Sequence, residues 1–246
     1  MIYDGINLEH KYPGLIIELN RDVKPPMRLV DITHVNGRSG DIVADENAYS
    51  DAELEYSAYL RVFNEFDRTD DLSRLITDLS KGKKCELIDK RDNGRIINAI
   101  LTGYSHKRKG IWPTLAEHLQ LTFTCDPYSR SGTTYKIPLN SSADVVRNLG
   151  HRRAHFVLKG KVTSATNRLT ISIPDANEQL VLINAFRAGD TFEIDSEKHF
   201  VTVNGYNAMK FVSILSDFFD LPKGTSHFNC ENWTGAIEYK EMYLIG

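Results

Sequence analysis

Residues 53–63 alternate with period two, and that constrains the fold more than any other stretch of the chain. Leu54, Tyr56, Ala58, Leu60 and Val62 fall on one side, with Glu53, Glu55, Ser57, Tyr59 and Arg61 on the other. A strand turns successive side chains to opposite faces, so one side faces a core and the other faces solvent or a partner. Tyr59 and Phe63 put aromatic rings on the otherwise polar side, as a strand face used for a partner would. Leu119, Leu121, Phe123 and Cys125 alternate in the same way, and this run is expected to end at Asp126-Pro127, because proline cannot donate to a ladder. Glu86–Ile88 and Arg95–Leu101 flank Asp92-Asn93-Gly94, the chemistry of a hairpin turn.

One segment has the helical period instead. Leu72, Leu75, Ile76 and Leu79 fall at i, i+3, i+4 and i+7 and predict a helix near 70–81. Thr69 or Asp70 is placed to cap its start, Asp70 and Asp71 suit the positive end of the dipole, and Gly82 stands where a C′ residue is expected. The expectation is a mostly β chain with one short helix.

Tyr128-Ser-Arg-Ser-Gly-Thr-Thr reads as a boundary, giving a first domain over 1–130 and a second over 131–246. In the second, short strands are expected at His155–Val162, Arg168–Ile173, Gln179–Asn184, Thr191–Ile194, His199–Val203, Phe211–Leu215 and Ala236–Ile245. Asp175-Ala176-Asn177 and Asp195-Ser196-Glu197-Lys198 supply turns, and this rhythm is that of an antiparallel sandwich.

The residues that could carry chemistry have structural explanations. Gly37-Arg38-Ser39-Gly40 has a serine between glycines but not the spacing of a nucleophile elbow, and no helix follows. Phosphate loops, dinucleotide fingerprints and metalloprotease motifs do not occur. Asp89 to Gly94 has a faint likeness to a calcium loop without its final glutamate, and a hairpin turn accounts for it better. His151 and His155 stand four apart, but in a stretch that reads as loop and strand. Trp112, Trp233, Tyr206 and Tyr243 are the candidates for a sugar-stacking platform, against the reading that they are core. No cofactor or metal site is expected.

A net charge of −3, from 30 Lys and Arg against 33 Asp and Glu, leaves no footprint for nucleic acid. The one basic cluster, Lys107-Arg108-Lys109 beside Gly110, reads as a solvated turn. Cys85, Cys125 and Cys230 lack metal-ligand spacing and are expected as reduced, buried thiols made in a cytosol. The first residues lack the pattern of a secretory signal, and no window has the apolar length of a membrane helix.

The order of local patterns carries more than any one of them. Gly37-Arg38-Ser39-Gly40 precedes Asp41-Ile42-Val43, the alternating strand, the helix and the hairpin. Then come Phe123-Thr-Cys125-Asp-Pro127-Tyr128, Asn148-Leu-Gly150, Gly189-Asp190, Ile194-Asp195, and Ser216-Asp217-Phe218-Phe219 with Leu221-Pro-Lys-Gly224. Over almost the whole chain this series resembles the distal tail protein family of long-tailed, non-contractile bacteriophages, the siphophage tail components. Ser39 and Ser226 depart from it, standing where family members often carry Asp and Asn.

The resemblance implies a structural protein of the virion tail tip, made in the host cytoplasm, and not an enzyme. Its first domain, a β-rich module with a helix and a hairpin arm, would form a hexameric ring with copies of itself. The ring would join the major tail tube protein to the tail-associated baseplate protein. The second domain, a galectin-like β-sandwich, would dock receptor-binding or adaptor proteins; the alternative is a carbohydrate-binding module that helps adhere to the host. No membrane and no specific nucleic-acid partner is implied. The polar stretch Gly37–Ser50 is too long for a simple turn and is expected to reach a neighbouring subunit. Together with the aromatic side of the 53–63 strand it makes Gly37, Arg38, Gly40, Tyr49, Tyr59 and Phe63 the expected subunit interface.

Overall fold

The computed structural model describes residues 1–34, 42–61, 65–109, 116–140 and 144–246. The chain divides into two compact units, Met1–Arg130 with Leu244–Gly246, and Ser131–Tyr243. Both are built mainly of antiparallel strands.

In the first unit the main sheet runs in the order Ile6–Asn7, Ile2–Tyr3, Cys85–Ile88, Ile96–Lys109, Ala116–Arg130, Ala52–Arg61, Leu15–Lys24. The alternation read from the sequence becomes one buried face: Ala52, Leu54, Tyr56, Ala58 and Leu60 sit beside Leu119, Leu121, Phe123 and Cys125. Cross-strand register sets Leu54 against Phe123, Tyr56 against Leu121 and Ala58 against Leu119, so the large side chains meet directly. The helix Glu65–Leu79 adds Leu75 and Leu79 to the same core, with Leu72 and Ile76 partly buried against it. Burying one such leucine contributes about 1.5–3 kcal/mol, which a short amphipathic helix needs because its propensity alone is marginal.

The helix starts earlier than its apolar stripe, and Thr69 and Asp70 lie inside it rather than capping it. The helix ends at Leu79, Ser80 closes a last bond to the Ile76 carbonyl, and Gly82 follows with φ +67°. A second, short helix, Leu8–Lys11, carries no period long enough to read from sequence; Asn7 caps it by accepting from the His10 N–H.

Two expectations in this sheet are overturned. The Ala116–Arg130 strand does not stop at Pro127. Ile97 pairs with Ser129 and Ala99 with Cys125, so the residues between, Pro127 among them, lie in a register shift where a missing N–H costs nothing. Lys107-Arg108-Lys109 is not a turn but the end of the Ile96–Lys109 strand, in register with His118, Glu117 and Ala116. The hairpin at Asp92-Asn93-Gly94 forms as expected. Asn93 and Gly94 take φ +55° and +71°, the positive angles that this turn chemistry supplies.

The second unit is a sandwich. One sheet runs Tyr135–Leu139, Trp233–Tyr239, Phe156–Val162, Thr191–Asp195, Phe200–Val203, Tyr206–Asn207. Against its inner side stand the sheet Glu178–Phe186, Thr166–Ile173, Asn229–Cys230 and the pair Val145–Asn148 with Gly224–His227. Phe156, Leu158, Phe192, Ile194, Trp233 and Ile237 from the first meet Leu169, Ile171, Leu180 and Leu182 from the second. Gly160 and Gly235 face each other in this sheet, and a Cβ on Gly160 would come within 2.3 Å of the Phe192 ring. Gly160 makes the space that this ring fills, whereas a Cβ on Gly235 would stand 2.3 Å from the Lys159 carbonyl oxygen. Of the expected strands, Phe211–Leu215 is absent: Met209–Phe211 is a 3-10 turn, and only Val212 bridges, to Leu182. Ser213 breaks the run, because its hydroxyl accepts from the Leu215 N–H and its carbonyl from the Ser216 N–H, folding the chain into a turn.

Candidate assembly interface

A two-stranded hairpin, Arg28–Thr33 with Ile42–Tyr49, forms a sheet of its own in the first unit. Its register sets Val30 against Asp45, Ile32 against Val43 and Thr33 against Ile42, with a bulge next to Arg28. Ser50 closes the base: its N–H donates to the Met27 carbonyl and its hydroxyl accepts from the Met27 N–H. Every residue of Arg28–Thr33 is exposed, among them Leu29, Val30 and Ile32, the last at 59%, and Met27 beside them at 71%. An isolated two-stranded ribbon is marginal in water, and a row of bare aliphatics on one is a surface made to be covered. The sequence signal was present in Leu29-Val30-Asp31-Ile32 opposite Ile42-Val43, but it was hidden by the polar residues between them.

Of the interface residues expected from sequence, Gly37, Arg38, Gly40 and Phe63 lie outside the described residues. Tyr49 ends the outer hairpin strand, half-buried, with its ring edge-on to Tyr128 at 6.0 Å. Tyr59 lies half-exposed on the main sheet, its ring 4.9 Å from His118, and the Glu18 carboxylate that it bonds raises its pKa. The two tyrosines are therefore in different sheets. The residues 42–49 of the stretch expected to reach a neighbour are a paired strand of this hairpin.

Beneath the main sheet lies a buried ionic cluster. The Arg21 guanidinium donates to both oxygens of Asp92, at 2.5 and 2.7 Å, to Asp89 at 3.3 Å and to the Tyr56 hydroxyl. Arg91 holds Asp89 through Nε, donates to the Glu18 carbonyl and lies over the Tyr56 ring at 5.3 Å. Burial pushes the Asp89 carboxyl up, but Arg91 and Arg21 outweigh it and hold it below the usual carboxylate range. The carboxylates that hinted at a calcium loop are thus occupied by guanidinium groups, and they tie the edge strand Leu15–Lys24 to the hairpin turn.

The remaining polar candidates are structural too. Trp233 is not on a platform: it is 1% exposed, edge-on to Phe192, with its Nε1 donating to the Thr170 carbonyl. Trp112 lies outside the described residues. His155 meets Asp220 at 2.8 Å, and Asp220 also accepts from Ser196 Oγ. Ser196 bonds the carboxylate rather than the imidazole, is buried and accepts from the Phe156 N–H, so it is not arranged as a nucleophile. Cys85 and Cys125 are buried free thiols and Cys230 is half-buried; burial pushes Cys125 and Cys230 up to about 12. Among the described residues no group of three or more His, Cys, Asp or Glu gathers to hold a metal ion, and no helix is long and apolar enough to cross a membrane.

The motifs that carried the family resemblance each do a structural task. Asn148 is fully buried, donates to the Arg152 and Leu221 carbonyls and accepts from the Gly150 N–H. A Cβ on Gly150 would stand 2.7 Å from the Met242 carbonyl oxygen. Asp190 accepts from the Arg187 N–H and from Asn204, which itself accepts from the Thr191 N–H. Phe219 and Leu221 are core, and Gly224 turns with φ +95°. These residues build a scaffold and leave its faces for contacts.

The described residues form a two-unit β scaffold with an exposed apolar hairpin. Residues 149–243 match the family model for the siphovirus-type tail component, C-terminal domain. The crystal structure of SPP1 Dit, the gp 19.1 protein, described as a paradigm of hub adsorption apparatus in phages infecting Gram-positive bacteria, matches with a TM-score of 0.83 at 17% identity. The match covers 99% of this chain and 98% of that one. No curated protein matches the sequence. Residues 149–243 are thus similar to a siphovirus-type tail component domain, and the chain as a whole shares the fold of SPP1 Dit.

Proposed function

We propose that this protein is the hub of a siphophage tail tip, a hexameric ring that joins the tail tube to the tail-associated baseplate protein. The bare aliphatic row of the Arg28–Thr33 hairpin carries this reading. A monomer gains nothing from leaving Met27, Val30 and Ile32 in water, whereas a ring subunit covers such a ribbon with its neighbour through a heterologous contact that closes by rotation. In this reading Gly37, Arg38, Gly40, Tyr49, Tyr59 and Phe63 lie at or near that contact. Residues 1–130 then carry the ring, and the sandwich that follows carries docking sites for receptor-binding or adaptor proteins. The protein acts in the virion, without a reaction of its own. The sugar-binding alternative has lost Trp233, which would have to be exposed to stack on a sugar.

Light scattering and negative-stain microscopy of the purified protein, alone and with its tail tube protein, test the reading. A closed ring of six copies with a central opening is expected in at least the second sample. A chain that stays monomeric in both overturns it.

A further inference from the structure

Proteins blunt the edges of their sheets, because an open edge pairs with other chains. Most long edges here are blunted. The outer strand of the larger sandwich sheet, Tyr135–Leu139, carries Lys136 and Pro138, and the opposite edge strand, Tyr206–Asn207, is only 2 residues long. In the first unit the edge strand Leu15–Lys24 carries a register shift and the charges of Glu18, Arg21, Asp22 and Lys24. The exception is Glu178–Phe186, the edge of the smaller sandwich sheet, whose sequence is Glu-Gln-Leu-Val-Leu-Ile-Asn-Ala-Phe. It has no proline, no lysine and no bulge beyond its Thr166 end, and its only charge is at its first residue.

The cover on this edge is one bridge wide. Leu182 pairs with Val212, and the Val181 carbonyl accepts from the Ser213 N–H and the Ser216 hydroxyl. The chain then peels away. Between Leu215-Ser216-Asp217 and the Asn177–Gln179 end of the edge it leaves a groove of about 430 Å³. Around this edge the apolar side chains point outwards: Ile214 is 100% exposed, Leu215 90% and Ile183 57%. The groove is rich in acceptors, and of its two carboxylates Glu178 is paired with Arg153 while Asp217 has no ion pair among the described residues.

We infer that this edge is a strand-addition site, taking an extended segment of another tail protein that carries aliphatic residues at alternate positions and a Lys or Arg. Backbone groups at Gln179 hold the added strand, Ile214 and Leu215 cover its alternate aliphatic side chains, and Asp217 takes the cation. A peptide ladder supplies affinity through main-chain bonds, and side-chain pockets supply selection, so the edge and the loop act as one site. The unpaired Asp217 favours a basic segment over a second copy of this edge, whose only charged residue is Glu178. The inference rests on the hub reading only in taking the partner to be another protein of the tail.

Overlapping synthetic peptides of about twelve residues, tiling the proteins encoded beside this chain in its phage, are the probe, titrated against the full-length protein. A peptide with alternating aliphatics and a basic residue is expected to bind and to protect the amides of the uncovered 177–179 end of the edge from hydrogen exchange. Ile214→Asp and Leu215→Asp, at sites too exposed to disturb folding, should each weaken it about tenfold, and Asp217→Asn several-fold with loss of its salt dependence. The inference is overturned if no peptide binds, if the bound peptide leaves these amides unprotected, or if the aspartate variants bind as the wild type does. Dimerisation of the chain through this edge, abolished by Leu215→Asp, overturns it in favour of a second copy. Ring formation is read separately: rings without peptide binding sink this inference alone, and peptide binding without rings sinks the hub reading alone.

Discussion

Ser226 marks how closely the second unit is built. Its strand, Gly224–His227, pairs with Val145–Asn148, and the residue is 1% exposed. Its hydroxyl finds no hydrogen-bond partner among the described residues, while Asn148 across the same ladder satisfies all that it offers. A buried polar atom left unpaired costs about 1–3 kcal/mol, more than the small volume of the oxygen returns in packing. Ser226→Ala should therefore raise the stability of the second unit by about 1 kcal/mol. The measurement is the urea midpoint at unchanged slope, and a lower midpoint would mean that the hydroxyl has a partner after all. The position was visible in sequence as a departure from the family pattern. Its burial was not, because a serine between Thr225 and His227 gives no sign of which face it takes.

At the scale of elements, the ion cluster beneath the first sheet sets an acid limit. Asp89 is held below its ordinary value of 3.8 in the folded chain by Arg91 and Arg21, against the opposing effect of burial. A carboxyl depressed on folding contributes stability that is fully present above its unfolded value and is lost as pH falls through its folded one. The first unit should thus keep a constant denaturation midpoint from neutral pH down to about pH 5 and lose stability below about pH 4. Asp89→Asn leaves Arg91 and part of Arg21 uncompensated and should cost about 3–5 kcal/mol at neutral pH while flattening the acid limb. A variant as stable as the wild type at pH 7 would show that the cluster is solvated in solution.

The elements that were legible are those with a long single period. The Ala52–Arg61 strand, the back half of the Glu65–Leu79 helix and the 85–101 hairpin follow from alternation, a stripe of three leucines and an isoleucine, and Asn-Gly chemistry. The misread ones share a cause, which is that local chemistry was outvoted by long-range pairing. Pro127 does not end its strand because a register shift excuses its missing N–H, and the aliphatic run at Phe211–Leu215 does not make a strand because Ser213 turns it off the edge. For the proposed interface, the sequence singled out Tyr49 and the 37–50 stretch. The exposure of the aliphatic residues at 29–32 was not legible in it, because that depends on the hairpin forming a sheet of its own.

At the scale of the molecule, the chain does not run through one unit and finish in the other. Leu244–Gly246 belong to the first unit, where Ile245 is 4% exposed in the core and its N–H donates to the Pro127 carbonyl. Ile245→Ala should cost the first unit about 2–4 kcal/mol and leave the second nearly untouched, although the hundred or so residues that lead up to Leu244 belong to the second. Amide exchange reads the two units apart, and a loss confined to residues 131–243 would contradict the division.

The hairpin decides between a stable monomer and a subunit. If Val30 and Ile32 are bare because a neighbouring copy covers them, charge at either site costs assembly and spares folding. Both are already in water in the single chain, at 44% and 59% exposure, so a carboxylate there leaves no buried charge. In the ring the same carboxylate is desolvated against aliphatic side chains, which costs several kcal/mol at each copy of the contact. The penalty is repeated at every interface of a closed ring, so even a modest loss per contact removes the closed species. Val30→Asp and Ile32→Asp should therefore melt at the wild-type temperature and elute as monomers at concentrations where the wild type assembles. Rings formed by both variants would move the subunit contact elsewhere and leave the aliphatic row to a different partner.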